Sequence, residues 1–488
     1  MTLTALRSPS ARARRAIVVL AIGAWFVLYL WRALAGHWSL GSNAFDLSVF
    51  DYAFWNIGQG RGGAVPFLGQ SIFSQHAMPV LYVLYPVYAI FPSATFLVVF
   101  VIAATAVAAV ACYVICRRMG LGWLASLGIA LVFLLARRTH SALAASFYPE
   151  CLQAGLSFLV VALWRRRAMG LGVVVLLLLM TKEDAGIYLA GFAAVSVFLW
   201  PDFRRRAFVV GAASITWACV AVFVAIPVSR RAGGLPPDNP LLASRFEATP
   251  GTVSAGVLAS RVLGRKSAET VFNLLATGGL LPLAGAPWLA VAAPGIVINL
   301  AADPASMQSS LIDHYAWPVL PWLFLATAAG AVRIERRWPR LAAVWIGLLL
   351  VATAIDNPAL QRAGSTRIDP AAREVLQHLP STAGLTVLAQ PNLIPHLEHT
   401  ARMFALGGDV APQEPPDLVL LTRTGNLWPL TESEVASLIE HFEADERYVA
   451  AHTGALYVFR LRHRERRVPE GEAPPGPRRA PAAPRSRG

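Results

Sequence analysis

Five small polar clusters interrupt an otherwise apolar chain, and they carry the side chains that could do chemistry. They are Phe45-Asp46, Gln75-His76, Pro149-Glu150, Lys182-Glu183-Asp184 and Asp313-His314-Tyr315. Carboxylates such as those of Asp46 and Glu150 can act as general acids or bases, and a lysine can bind an anion. Ionisable groups at membrane depth are costly and tend to be kept for a task. The clusters therefore predict one shared site.

Lys182 stands out because the 42 basic residues of the chain include only two lysines. It follows a Leu-rich segment and precedes Glu183, which favours a role in binding phosphate. A lysine at a helix end can instead extend towards the interface and pair with Glu183 or Asp184. Both interpretations stay open from the sequence.

Asp46 opens a segment whose aromatic residues suit a helix lying in the membrane interface. Its carboxylate can take a proton from a bound hydroxyl group, or it can cap the helix, as Asn43 or Ser42 could equally well. Glu150 is a second candidate catalytic carboxylate, or an exposed turn residue. Three roles stay open for His76 and His314: donating to phosphate, binding a metal or forming a structural hydrogen bond.

The elements that must position these clusters are membrane helices. Apolar residues make up 56% of the chain, charged residues 14%, and the mean hydropathy is +0.53. A helix of about 20 residues crosses the hydrocarbon core, where backbone amides have no water to bond. We predict eleven spans, at about 16–35, 94–116, 121–136, 149–164, 169–182, 185–201, 207–228, 269–284, 286–301, 315–332 and 341–355.

Arginines predict the orientation of the chain in the membrane, because cytoplasmic loops are enriched in positive residues. Four arginines precede the first span, so the N-terminus is predicted inside, and later basic clusters then also fall in the cytoplasm. Most acidic residues before residue 356 map to the other face, together with all five polar clusters. The first segment also resembles a cleaved signal peptide, but cleavage would leave the later loops in place.

Composition divides the chain into four predicted regions. Residues 1–15 form a cytoplasmic start, and residues 16–355 form the helical bundle, with longer outside loops at 36–93 and 229–268. Residues 356–461 form a small extracytoplasmic α/β domain, with helices near 370–379, 392–399 and 431–443 and strands near 385–388, 418–421 and 447–460. The Pro- and Arg-rich tail, 462–488, is predicted to be disordered.

Several function classes are disfavoured by the sequence. The net charge of +14 is spread over membrane-flanking loops and the tail, which argues against nucleic acid as a partner. No G-x-x-x-x-G-K-[ST] motif for ATP occurs. The four cysteines are predicted to be packing residues, and no cofactor is predicted, with a divalent metal left open.

Taken together, the five motifs resemble those of the bacterial membrane family called domain of unknown function 2079. They are F-D-L-x-x-F at Phe45, Gln75-His76 before Pro79, Tyr148-Pro149-Glu150, Lys182-Glu183-Asp184 and Asp313-His314-Tyr315-x-x-Pro318. The similarity covers residues from about 40 to 425. The layout of that family in turn resembles the GT-C glycosyltransferases, membrane enzymes that use sugars linked to polyprenyl phosphate.

This resemblance implies an all-α, GT-C-like bundle with an acidic catalytic residue in the first outside loop and a C-terminal extracytoplasmic domain. It implies transfer of a sugar from a polyprenyl-phosphate donor to an acceptor outside the cytoplasm, at the inner membrane. Asp46 and Glu150 are then the catalytic candidates. Lys182, His76, His314 and Tyr315 would bind the donor phosphate, supported by Asp51, Glu183 and Asp184. The chain departs from the pattern by lacking a D-x-D or E-x-D pair at Asp46, which puts metal-assisted donor binding in doubt.

Two other classes stay open. The same ionisable groups suit a transporter or flippase for a polar or lipid-linked solute, although the sequence shows no repeated halves. A non-catalytic membrane protein whose outer domain binds a partner is the third alternative. It would leave the five clusters without a common purpose.

Overall fold

The structure, a computed structural model, describes residues 10–144, 146–166, 168–236, 254–361, 367–408 and 410–462. The first nine residues, the middle of the second predicted outside loop and the tail from residue 463 lie outside the described residues. The predictions made for those segments stay predictions.

Helices dominate the chain as far as residue 361. In chain order they are α1 (Ala11–Trp38), α2 (Val49–Gly58), α3 (Val80–Tyr88), α4 (Ala94–Arg118), α5 (Trp123–Leu135), α6 (Arg137–Ala144), α7 (Cys151–Leu163), α8 (Ala168–Leu179), α9 (Ala185–Leu199), α10 (Arg204–Val220), α11 (Ile226–Ala232), α12 (Ala255–Val262), α13 (Arg265–Thr277), α14 (Leu281–Ala284), α15 (Ala286–Leu300), α16 (Leu320–Arg337), α17 (Pro339–Asp356) and α18 (Pro358–Gln361).

The length and apolar composition of these helices suit a membrane protein. Within the described residues, four are long and apolar enough to cross a bilayer alone: α1, α4, the continuous stretch Pro201–Ala232, and α17. Helices α5 and α6 meet at a bend of 42° and would make a fifth span together. Several of the other predicted spans correspond to shorter apolar helices, including α7, α9 and α15. The count of eleven spans stays a prediction.

Local sequence explains where the long helices begin and end. The hydroxyl group of Ser93 accepts a hydrogen bond from the backbone amide of Phe96 and caps α4. Arg117 and Arg118 occupy the last turn of α4, where positive charge complements the helix dipole.

Close packing between helices depends on glycine at α16. A Cβ atom at Gly330 would clash with the backbone oxygen of Leu281, whereas one at Gly347 in α17 would meet nothing within 4 Å. We expect Gly330→Ala to destabilise the protein by about 1–3 kcal/mol, because the clash involves backbone that must shift. Gly347→Ala is the matched control and should be neutral or slightly stabilising. Thermal unfolding in detergent measures both, and equal midpoints would contradict the predicted close approach.

The polar clusters fall where the helices stop. Asp46 lies on a π-helical turn, Ala44–Ser48, and Glu150 lies between α6 and α7. Lys182 and its two acidic neighbours lie in the break between α8 and α9. A 3-10 turn, Asp313–Ala316, carries the last cluster in front of α16. Side chains in such breaks can turn towards one another, which a continuous helix would prevent.

The chain after α18 forms a mixed five-stranded sheet. Its helices are α19 (Pro370–Gln377) and α20 (Glu432–Ala444), and the sheet order is β4 (Arg402–Ala405), β3 (Thr386–Ala389), β5 (Leu418–Thr422), β7 (Leu456–Leu461) and β6 (Tyr448–Thr453), numbered after a short hairpin of β1 (Ala64–Val65) and β2 (Gln70–Ser71). Strand β3 runs parallel to β4 and β5, and β7 runs antiparallel to β5 and β6.

Two details differ from the sequence prediction for this part. The expected helix near 392–399 is only a 3-10 turn, Ile394–His396, and the backbone is already extended at Leu397. The edge strand β4 was not predicted, although its four residues alternate in burial.

Connections between strands of the sheet contact the first predicted outside loop directly. The backbone amide of Ala44 donates to the carbonyl of Pro391 over 2.9 Å, and the side-chain amide of Asn43 donates to the carbonyl of Trp428 over 2.6 Å. His399 lies 2.8 Å from the Asp51 carboxylate. The π-helical turn that carries Asp46 is therefore held by residues more than 300 positions later in the chain.

Candidate active site

Asp46 lies in hydrogen-bond contact with Tyr148. The tyrosine hydroxyl group donates to the Asp46 Oδ1 atom over 3.0 Å. Asp46 is half-buried on its π-helical turn, and Tyr148 comes from the loop before α7. This bond joins the first polar cluster to the third.

Aromatic stacking extends the contact from Tyr148 to the last cluster. The rings of Tyr148 and His314 stack with centroids 4.0 Å apart and an angle of 11° between their planes. His314 in turn lies against Tyr315, with ring centroids also 4.0 Å apart. The Nζ atom of Lys182 lies 5.8 Å from the centre of the Tyr315 ring, within reach of a cation–π interaction.

Lys182 and Glu150 form a buried ion pair. The Nζ atom lies 2.5 Å from Glu150 Oε1, and the side chains are only 2% and 1% exposed. Among the described residues, the second carboxylate oxygen, Glu150 Oε2, has no hydrogen-bond partner although it is buried. A buried carboxylate oxygen without a partner is costly, and such positions often mark functional sites.

We call the six side chains joined in this way the contact chain. It consists of Asp46, Tyr148, His314, Tyr315, Lys182 and Glu150. It begins at a carboxylate on the first loop and ends at a carboxylate before α7, with the ammonium group between. The structure thus brings together both candidate catalytic acids and three of the candidate phosphate-binding residues.

The remaining predicted residues flank the contact chain or lie apart from it. His76 Nδ1 lies 2.9 Å from Glu183 Oε1, and Asp184 accepts a bond of 3.2 Å from the side chain of Gln153. These pairs adjoin Lys182 in sequence. Asp51 instead bonds to Tyr88, over 2.7 Å, and to His399, so its contacts fix the sheet to the loop and do not reach Asp46.

Two contributors were not assigned a role from the sequence. Tyr148 belongs to the Tyr148-Pro149-Glu150 motif and Asp313 to the last polar cluster, but neither was among the predicted site residues. The Asp313 carboxylate accepts a bond of 2.6 Å from the Ser141 hydroxyl group, and its backbone has a φ of 54°. A non-glycine residue in this left-handed region is uncommon, and that strain is a signal only the structure provides.

Burial dominates the electrostatics around Asp46. It raises the pKa of the Asp46 carboxyl group above its ordinary value, and the neighbouring Asp313 carboxylate raises it further. The hydrogen bond from Tyr148 acts in the opposite direction and lowers this pKa. Burial also holds the pKa of Tyr148 well above its usual range. The tyrosine hydroxyl group therefore stays protonated and can donate its hydrogen bond to Asp46.

Metal ligands do not cluster in the parts of the chain that the structure describes. No group of three or more His, Cys, Asp or Glu side chains there suits a metal ion. The closest arrangements are the two histidine–carboxylate pairs, at His76 and His399, which have one carboxylate each.

The comparisons with known proteins concern both fold and family. The fold is similar to that of a crystal structure of ArnT from Cupriavidus metallidurans bound to undecaprenyl phosphate, with a TM-score of 0.55, 12% identity, and coverage of 92% of this chain and 98% of that chain. The apo structure of the same ArnT gives a TM-score of 0.54 at 13% identity, with the same coverage. No curated protein matches the sequence. A family model described as "Predicted membrane protein (DUF2079)" matches residues 36–453, so the predicted membership is confirmed and the chain belongs to this family of membrane proteins.

Proposed function

We propose that this protein is a membrane glycosyltransferase that moves a sugar from a polyprenyl-phosphate donor to an acceptor outside the cytoplasm. The observation that carries the proposal is the contact chain, which joins a half-buried carboxylate to a buried ammonium group. The fold supports it, because one similar structure, that of an ArnT, holds undecaprenyl phosphate. Eleven spans, a cytoplasmic N-terminus and an extracytoplasmic sheet belong to the same proposal.

The reaction assigns one task to each end of the contact chain. Asp46 takes the proton from an acceptor hydroxyl group, whose oxygen then bonds to the anomeric carbon of the sugar. The bond between that carbon and the phosphate oxygen breaks, and the electron pair leaves with polyprenyl phosphate. Lys182 stabilises the negative charge that develops on the departing phosphate. Configuration at the anomeric carbon inverts, because attack and departure occur on opposite faces.

The aromatic residues between the two ends have a positioning task. Tyr148 holds Asp46 by its hydroxyl group while its ring stacks on His314. Tyr315 presents its ring towards Lys182. Glu150 holds the ammonium group in place before the donor arrives, since a lone buried charge would be too costly.

Purified protein in lipid bilayers tests this function directly. We expect transfer of a radiolabelled sugar from a polyprenyl-phosphate donor to a lipid- or glycan-containing acceptor fraction, with release of polyprenyl phosphate. Vesicles loaded with a polar or lipid-linked solute test the transporter alternative. Counterflow of the solute without any product would contradict the enzyme and favour a transporter.

The pH dependence of turnover gives a second prediction. Asp46 must be ionised to act as a base, and its pKa is raised by burial and by Asp313. The acidic limb of the rate profile should therefore lie above the ordinary aspartate value of about 4. Asp313→Asn should move this limb to lower pH, because it removes a like charge. Tyr148→Phe should move it to higher pH, because it removes a bond to the ionised form. Shifts in the same direction for both variants would count against Asp46 as the base.

A further inference from the structure

A cavity of about 450 Å³ lies between α1, α4 and α6, apart from the contact chain. Two guanidinium groups, of Arg32 and Arg367, line it together with His37 and Ser42. No Asp or Glu side chain from the described parts of the protein lines it. The lining therefore carries formal positive charge, and a guanidinium group matches the geometry of phosphate or carboxylate.

Part of the cavity wall is apolar. It is formed by Val98, Val101 and Ile102 of α4 and by Leu143 of α6. A water-soluble anion would use only the arginine side and leave this wall without a partner. A molecule with an anionic head group and a hydrocarbon chain would use both sides. Two of the lining helices, α1 and α4, are candidate membrane spans, and membrane lipids are amphiphilic molecules of this kind.

The cavity adjoins the Asp46–Tyr148 hydrogen bond. Ser146 lines it and lies two residues before Tyr148, a separation of at most about 7 Å between Cα atoms. Ser42 also lines it and directly precedes Asn43, whose side chain accepts the amide proton of Phe45 at the start of the π-helical turn. Both partners of the hydrogen bond are thus within a few residues of a side chain that lines the cavity.

We propose that this cavity binds the anionic head group of a lipid. Resting on the proposed function, the bound lipid is the acceptor. Ser42 and Ser146 line the cavity and lie close in sequence to Asp46 and Tyr148, whereas Lys182 does not line it. Arg32 and Arg367 hold the head group, and the α4 wall contacts the first part of the hydrocarbon chain.

A steric variant tests occupancy without changing any charge. Gly36 of α1 lines the cavity, and a Cβ atom added there meets nothing within 4 Å, so leucine at this position would fill the space. Gly23 of the same helix is equally open but does not line the cavity, which makes Gly23→Leu the matched control. We expect Gly36→Leu to weaken binding of dodecyl phosphate about tenfold, measured by calorimetry on the full chain in neutral detergent, and Gly23→Leu to leave it unchanged.

A charge variant tests the head-group contact. The double variant Arg32→Gln/Arg367→Gln should weaken dodecyl phosphate at least about tenfold, because charge-assisted bonds are lost. Arg373→Gln, at an exposed arginine of α19, is its control. Unchanged binding in both the steric and the charge variant would overturn the proposal. Inorganic phosphate binding as tightly as dodecyl phosphate would also overturn it, because the apolar wall would then contribute nothing.

The same titration separates this proposal from the proposed function. Asp46→Asn protein should still bind dodecyl phosphate with wild-type affinity, since Asp46 does not line the cavity. Wild-type protein that binds dodecyl phosphate but shows no sugar transfer would refute the enzyme and leave the lipid site standing. If the wild-type protein transfers sugar and the cavity variants bind and react normally, the lipid site alone is refuted.

Discussion

Lys182→Met is expected to lower the free energy of unfolding by about 3–5 kcal/mol, because it leaves the Glu150 carboxylate buried without its cation. The two side chains are almost fully buried, so water cannot take over the role of the ammonium group. Unfolding in mixed detergent micelles, followed by tryptophan fluorescence, measures the change. Lys266→Met replaces the only other lysine of the chain and is the matched control, with an expected change within about 0.5 kcal/mol.

A double variant separates the structural role of this ion pair from its role in the reaction. Lys182→Met/Glu150→Leu replaces both charges by apolar side chains, and stability should recover to near the wild-type value. Sugar transfer should stay lost, because no cation faces the departing phosphate. Recovery of both stability and transfer would show that Lys182 is a packing residue and that the phosphate binds elsewhere.

Asp46→Asn is expected to reduce kcat for sugar transfer by about 10²–10⁴, the usual contribution of a general base. The amide keeps the size of the carboxylate and can still accept the hydrogen bond from Tyr148, so the variant should fold normally. Asp303→Asn changes an exposed aspartate outside the contact chain and should keep wild-type turnover. Equal turnover for Asp46→Asn and wild type, at matched stability, would exclude Asp46 as the base.

The sequence identified the polar clusters because their residue types are unusual in an apolar chain. Lys182 was found by rarity, and Asp46 and Glu150 by their charge between apolar segments. That these three belong to one contact chain required knowledge of packing, because the links between them are aromatic rings from distant segments. Their catalytic and binding roles stay predictions.

Contacts of long sequence separation also explain what the sequence missed in the fold. Asp51 was expected to support the site, but its partner His399 lies 348 positions away, and no local pattern reports such a pair. Hydropathy is a local property, so the sequence could predict apolar helical segments, whereas the count of eleven spans stays a prediction. Their breaks were predicted less well, because the bend between α5 and α6 and the π-helical turn at Asp46 depend on tertiary packing.

The docking of the C-terminal sheet on the first loop has a consequence for biogenesis. Residues of the turn that carries Asp46 emerge from the ribosome early, whereas their partners Pro391, His399 and Trp428 are translated near the end. The nascent protein therefore inserts its helices before it can lock the Asp46 turn in place. Chains that terminate before residue 391 would lack all three partners, so nothing from the C-terminal part would hold the Asp46 turn.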